Sequence, residues 1–374
     1  MKCSKSILGA AVVAALLSNP LGALADDDSH HYDDFVCDRE SFSGCLNGVS
    51  SAVTTAPGLR VGTQRVAKVT RERGGKQVEN AQVARQTTGT GLAAGDGMGS
   101  VFAMWGSYAY NDFESDFTSA GVPLGYDADS HNALGGIDRL FQGRYLLGLA
   151  FGYNTMESKT RFNGGDVDAD TYTIAPYAAI LLSDIFSLDF AGGYSWLDYD
   201  QSRLSPVDGT AIGASFDADR WFVATNLNAV MVVDKFVFGA KVGYLHTDEQ
   251  QDAYAEAGSA ASVAGGVVRT LGQRDIDLSQ VVVGGEIGYL AGAFEPFFTA
   301  EYRNDVSRDD GTAAGGLPGA FNVVQPGDDD EVQLGVGFRY YTTWGVTSTF
   351  EYQRVEGRSQ FDSDLFMFTL RAAL

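Results

Sequence analysis

The sequence is short of proline, of positive charge and of long apolar runs, and each shortage excludes something. Its 374 residues include 8 prolines against 46 glycines, 17 tyrosines and 23 phenylalanines, the make-up of a glycine- and aromatic-rich β protein and not of a helical enzyme. Lysine and arginine number 26 against 48 aspartates and glutamates, a net charge of −22 that excludes a nucleic-acid partner. No internal run reaches the roughly 18 apolar residues that a membrane helix needs. There is no Gly-x-Ser-x-Gly elbow and no Gly-Asp-Ser-Leu block, so the sequence gives no support for an enzyme. A mean hydropathy of −0.08 looks soluble. A transmembrane barrel has this modest value too, because only every second residue meets lipid.

What is present begins with a leader. Residues 1–25 carry Lys2 and Lys5, an apolar stretch from Ile7 to Leu17, Pro20, and then Ala23-Leu24-Ala25, a small-x-small cleavage site. A signal peptide is expected there, with Asp26 as the mature start. Residues 26–50 read as an acidic, flexible tail in which Cys37 and Cys45, on an oxidising export route, are expected to form a local disulfide. Two cysteines alone are too few for a zinc site. Residues 51–97 turn basic, with Arg60, Arg65, Lys68, Arg71, Arg73 and Lys76, and predict a short helix ending at Gly74-Gly75.

From residue 98 onward the pattern has period two. In "YLLGLAFGYNT" Tyr145, Leu147, Leu149, Phe151 and Tyr153 oppose Leu146, Gly148, Ala150, Gly152 and Asn154. "FSLDFAGGYSW" and "VQLGVGFRYY" alternate in the same way, with one oily and one small or polar face. Twelve such segments are expected at 98–112, 127–141, 144–155, 167–181, 185–199, 215–231, 234–248, 276–290, 293–306, 330–341, 344–356 and 361–374. Most exceed the ~9–11 residues of a membrane strand and far exceed the ~5–6 of a soluble one. Their connections alternate short and long, as in outer-membrane proteins. The expectation is an all-β fold: a single closed antiparallel transmembrane β-barrel of about twelve strands over 98–374, preceded by a pore-threading helical segment. The last strand closes on the first, and the alternative of a soluble two-sheet sandwich is set aside.

The chain also resembles a family. "VFAMWGSYAYND", "GYDADSHNALGGIDRLF", "LLGLAFGYNTMES", "DADTYTIAPYAAI" and "FAGGYSW" are similar, in order, to the first five strands of the autotransporter translocator domain. The resemblance implies a bacterial outer-membrane location with loops outside and both barrel ends periplasmic. It also implies assembly by the barrel-insertion machinery and a linker threaded through the pore. Two features depart from the family: the last residue is Leu374 where an aromatic is usual, and only about seventy mature residues precede the barrel, too few for a long passenger.

Strand parity turns Asp138, Arg144, Asp189, Arg220, Lys241, Glu286, Glu295, Glu301, Arg303, Arg339, Glu351 and Arg371 toward the lumen. These charges either pair to keep the lumen polar and rigid, or four of them (Glu286, Glu295, Glu301 and Glu351) grip the basic segment as a plug. Asp309, Asp310, Asp328, Asp329, Asp330 and Glu331 are expected on outer loops, where divalent cations could bridge to lipopolysaccharide. His30 and His31 read as tail, and His131 and His246 fall near outer strand ends without a legible catalytic motif. No cofactor is expected, and the partners are outer-membrane lipid, lipopolysaccharide and the assembly machinery, around a monomer. The function this implies is display or stabilisation of a short N-terminal region, with surface loops that mediate adhesion or envelope contacts. A passive or gated pore and a rim-active hydrolase are the alternatives.

Overall fold

In the computed structural model the described residues are 62–65, 85–88, 101–116, 118–119, 122–123, 125–160, 163–309, 329–342, 344–357 and 361–374. Twelve long strands alternate direction around a closed barrel. They are β1 Val101–Ser115, β2 Tyr126–Phe141, β3 Tyr145–Thr160, β4 Asp166–Leu181, β5 Phe186–Leu204 and β6 Ala211–Val233. Then follow β7 Phe236–Gln251, β8 Arg274–Tyr289, β9 Phe294–Asp309, β10 Asp330–Tyr341, β11 Val346–Glu356 and β12 Phe361–Ala373. Each pairs with its sequence neighbours, and β12 pairs with β1 from Phe361 opposite Ser115 to Ala373 opposite Ala103. Closure leaves no unpaired edge, which is why an acidic chain can end on an oily strand.

One end carries tight turns. At the first, Gln142 and Gly143 both have positive φ (53° and 62°), the left-handed pair that a two-residue hairpin demands. The other end carries the long connections. The terms turn end and loop end are used below.

The outward face is apolar between two aromatic girdles. Toward the turn end lie Phe102, Tyr145, Phe186, Phe236, Tyr289 and Phe294, and toward the loop end Tyr153, Tyr172, Trp196, Trp221, Tyr244 and Tyr302, all exposed. Phe186 and Trp196 sit at these two levels on β5. Ten residues at about 3.3 Å each, tilted by about 40°, span roughly 25 Å, the height of the apolar band of an outer-membrane barrel.

Two expectations change. The strands run further toward the loop end than alternation indicated, so that β5 and β6 reach 19 and 23 residues. Above the lipid their outward residues turn acidic, and an oily-face criterion stops too early. Within the basic segment, Gly62–Arg65 is extended and pairs antiparallel with Arg85–Thr88, Arg65 opposite Arg85, and is not helical. Gly62 and the β-branched Thr63 are poor helix formers, and a partner strand meets their backbone groups. Arg60, Lys68, Arg71, Arg73 and Lys76 lie outside the described residues, as do the leader, the tail and the Cys37–Cys45 pair.

Beyond the lipid band the β7–β8 connection is ordered. Tyr254–Ala255 pairs with Thr270–Leu271, and between them a helical turn, α1 Ala260–Ala264, starts from the Ser259 cap. Ala257 exchanges both backbone hydrogen bonds with Gly213 of β6. Tyr254 stacks on Phe216 with ring centroids 4.4 Å apart, and Phe216 on Tyr199 at 5.0 Å.

Candidate functional site: the barrel lumen

Inward residues follow from parity once the ladder is fixed. Eleven of the twelve charges expected in the lumen are on the inner face, buried or half-buried. Arg144 is not. β2 stops at Phe141, the left-handed turn takes Arg144 out of the ladder, and its exposed guanidinium lies over the Tyr145 ring while Nε donates to the Leu181 carbonyl at 3.1 Å.

The lumen has two unlike walls. A buried cluster on β1–β6, joined by Leu245 of β7, includes Trp105, Leu134, Leu146, Tyr177 and Phe222. The Trp105 indole lies over Gly136 and the Tyr177 ring over Gly148, where any larger residue would collide with the ring. Polar side chains on the same wall are paired. Asp189 accepts from Asn228 at 2.7 Å, and Arg220 pairs with Glu249, which also accepts from Tyr199 at 3.0 Å. Asp138 accepts from Tyr177 at 2.9 Å and from Arg371 at 2.5 Å.

Across the barrel, β7–β11 carry a charge network. Lys241 bonds Glu301 at 2.5 Å, and Glu301 also takes Arg303 at 2.9 Å. Arg303 goes on to Glu331 at 3.3 Å and Gln333 at 2.6 Å. Arg339 bonds Glu286 at 2.6 Å and Glu295 at 2.9 Å, lies 4.0 Å from the Phe297 ring centre, and shares Glu295 with Tyr341. Glu351 accepts from Thr299 and Gln353. Three of the four glutamates proposed to grip a plug therefore already hold a cation of the wall. Removing a cation here strands a desolvated carboxylate, which is the expensive way to break such a pair.

Between these groups lies a small cavity of about 80 Å³, walled by Gly239, Lys241, Gly284, Glu286, Thr299 and Arg339 among others. Above it, at the loop end, the inner face becomes apolar again. Phe113, Tyr126, Tyr199, Ile276, Leu278 and Phe361 form one buried cluster and are each 1–2 % exposed, so the inner face is apolar at that level.

Sequence reasoning missed several of these partners. Glu249 falls one residue past the expected end of β7, yet continues the parity of Lys241. Glu331, expected on an outer loop, is buried inside against Arg303 because β10 begins at Asp330 and Glu331 shares the parity of Arg339. Asp329 and Asp330 are exposed as expected, whereas Asp310 and Asp328 lie outside the described residues. Trp105 and Tyr177 carried no charge to mark them.

The outward face beyond the loop-end girdle is acidic. Asp364, Asp112, Asp129, Glu157, Asp168 and Asp200 stand directly opposite one another on six consecutive strands, β12 and β1–β5. Partial desolvation, and then neighbouring carboxylates, push Asp112 and Asp168 above the ordinary carboxylate range. Both histidines also face outward. His131 Nδ1 lies 2.7 Å from the Tyr108 hydroxyl, and His246 Nδ1 lies 2.9 Å from Ser279 Oγ, with no carboxylate of the described residues paired to His246. Among the described residues no group of three or more His, Cys, Asp or Glu could hold a metal ion.

The profile of the autotransporter β-domain matches residues 104–353. Among solved structures, the translocator domain of the autotransporter NalP from Neisseria meningitidis is 13% identical, with a TM-score of 0.60 over 73% of this chain and 88% of that one. The β-domain of the Bordetella autotransporter BrkA is 15% identical, with a TM-score of 0.53 over 72% of this chain and 98% of that one. No curated protein matches the chain in sequence. The profile covers well over half of the 374 residues, and the twelve-stranded closed ladder is the fold of both structures. This chain belongs to the autotransporter β-domain family, and it is an integral outer-membrane barrel of translocator type.

Proposed function

We propose that the barrel holds a short N-terminal region at the outer membrane, with part of residues 51–97 lodged in the lumen as a plug. The observation that carries this reading is Gly62–Arg65, which lies near β6 and β5 and pairs with Arg85–Thr88. The nineteen residues between them in sequence include Lys68, Arg71, Arg73 and Lys76. Glu351, which accepts only from Thr299 and Gln353 among the bonds described above, is the lumen glutamate left to meet this basic stretch. In this reading the turn end faces the periplasm, and the connections 252–273 and 310–329 face outward and make adhesive or envelope contacts. Lipid, lipopolysaccharide and the insertion machinery are the partners, the barrel works as a monomer, and no catalysis is assigned to it.

Planar-bilayer recording tests the plug. Deleting residues 26–97 should raise single-channel conductance or the frequency of opening, and equal conductance in both forms would remove the plug from the account. Protease treatment of intact cells should cut within 252–273. Cutting only after permeabilisation would reverse the orientation.

A further inference from the structure

One ion pair in the lumen differs from the rest by its place in the ladder. Lys241–Glu301, Arg303–Glu331 and Arg339–Glu286 link strands of β7–β10, all laid down within one stretch of chain. Arg371–Asp138 links β12 to β2, passing over β1, and its two residues are 233 apart in sequence. It therefore bridges the one seam where the sheet closes on itself. Arg371 stands directly opposite Trp105 of β1 in the closing ladder, and Asp138 directly opposite Ala103, also of β1. Trp105 Nε1 donates to the Tyr177 hydroxyl at 2.7 Å, and that hydroxyl donates to Asp138 Oδ2 at 2.9 Å, while Arg371 donates to Oδ1. The relay thus joins four strands, β4, β2, β1 and β12, through one carboxylate. All four side chains are buried. Asp138 is the one carboxylate paired with Arg371 among the described residues.

We propose that Asp138 and Arg371, set by Tyr177 and Trp105, form a closure latch that locks the first and last strands together from inside the lumen. Before closure, Asp138 sits in the β1–β4 sheet with its Tyr177 bond made and no cation against it, and Arg371 sits on a free edge strand. Pairing of β12 with β1 brings the guanidinium onto a carboxylate already oriented by Tyr177. The charge of each is neutralised only in the closed barrel. The open sheet is disfavoured by its unpaired edges, and closing the seam out of register would carry two uncompensated charges into a desolvated lumen, so the pair selects the correct closure. The other wall pairs give no such bias, because their strands are neighbours or near neighbours whether or not the seam is shut.

The test follows refolding of the full chain into liposomes, reading the heat-modifiable closed form on gels against time. Asp138→Asn and Arg371→Gln should each slow the appearance of the closed form at least fivefold. Arg371→Lys keeps the charge at the seam and should stay within twofold of the parent chain. Lys241→Gln, which removes a cation from a wall pair, should lower the stability of the finished barrel yet close within twofold of the parental rate. In the same samples, strand content by far-ultraviolet dichroism should rise at the parental rate in Arg371→Gln while closure lags. The latch is overturned if Arg371→Gln closes at the parental rate, if Arg371→Lys is as slow as Arg371→Gln, or if Lys241→Gln is as slow as either.

Discussion

The two walls of the lumen solve one problem by opposite means. Strands β1–β6 fill their share of the interior with Leu, Ala and aromatic rings laid over glycine, and strands β7–β11 fill theirs with guanidinium and carboxylate groups. The apolar wall is held chiefly by area and shape, so that each residue contributes without a charged partner. The ionic wall is held by mutual neutralisation, so its members stand or fall as pairs. The difference teaches that a polar lumen need not be a wet one, since Glu249 and Glu295 are as buried as Leu146.

Breaking one member of the ionic wall should give the largest effect. Arg339→Ala leaves Glu286 and Glu295 without their cation and should cost about 3–5 kcal/mol, read as a lowered urea midpoint of the refolded barrel. On the apolar wall Leu146→Ala should cost somewhat less, about 2–4 kcal/mol, in the same titration. Sharper is the repair experiment. Arg339→Met combined with Glu286→Gln and Glu295→Gln removes the charges together and should recover most of the loss, because no ion is left stranded. A triple variant as weak as Arg339→Ala would mean that the wall depends on its hydrogen bonds and not on charge balance.

The smallest expected effect lies outside the lumen. Asp112 and Asp168, in the strand extensions beyond the lipid band, have folded-state values raised above 3.8. A raised carboxyl takes up protons on folding, so its penalty is absent below the unfolded value and grows as pH climbs through the folded one. Thermal stability of the parent chain should therefore gain on acidification relative to Asp112→Asn/Asp168→Asn, and the two should diverge again toward neutral pH with the variant ahead. A constant difference between pH 4 and pH 7 would show that the row of facing carboxylates carries no strain.

How much of this could be read from residues alone follows the same division. The strands, their order and their closure were legible because lipid enforces an oily face every second position, as in Tyr145, Leu147 and Leu149. Parity then placed Lys241, Glu301 and Arg339 inside. It failed at the ends, where the lipid no longer dictates the pattern. Arg144 obeys the parity of Leu146 but sits in a turn, and Glu331 looks like part of an acidic loop but is the first inward residue of β10. The helix expected around Arg65 rested on local propensity, which a strand partner at Arg85–Thr88 overrides. Pairings were invisible throughout, since nothing in one sequence says that Arg371 meets Asp138 and not Glu351.

The unequal strand lengths have a consequence of their own. β5 continues from Leu197 to Leu204 past its girdle tryptophan, roughly 26 Å of extra ladder at about 3.3 Å per residue. On the far side β11 has 11 residues in all. A tube cut on such a slant opens sideways. A molecule drawing near the loop end meets an upright screen on one flank and a low sill on the other, and its angle of approach is chosen before any side chain touches it.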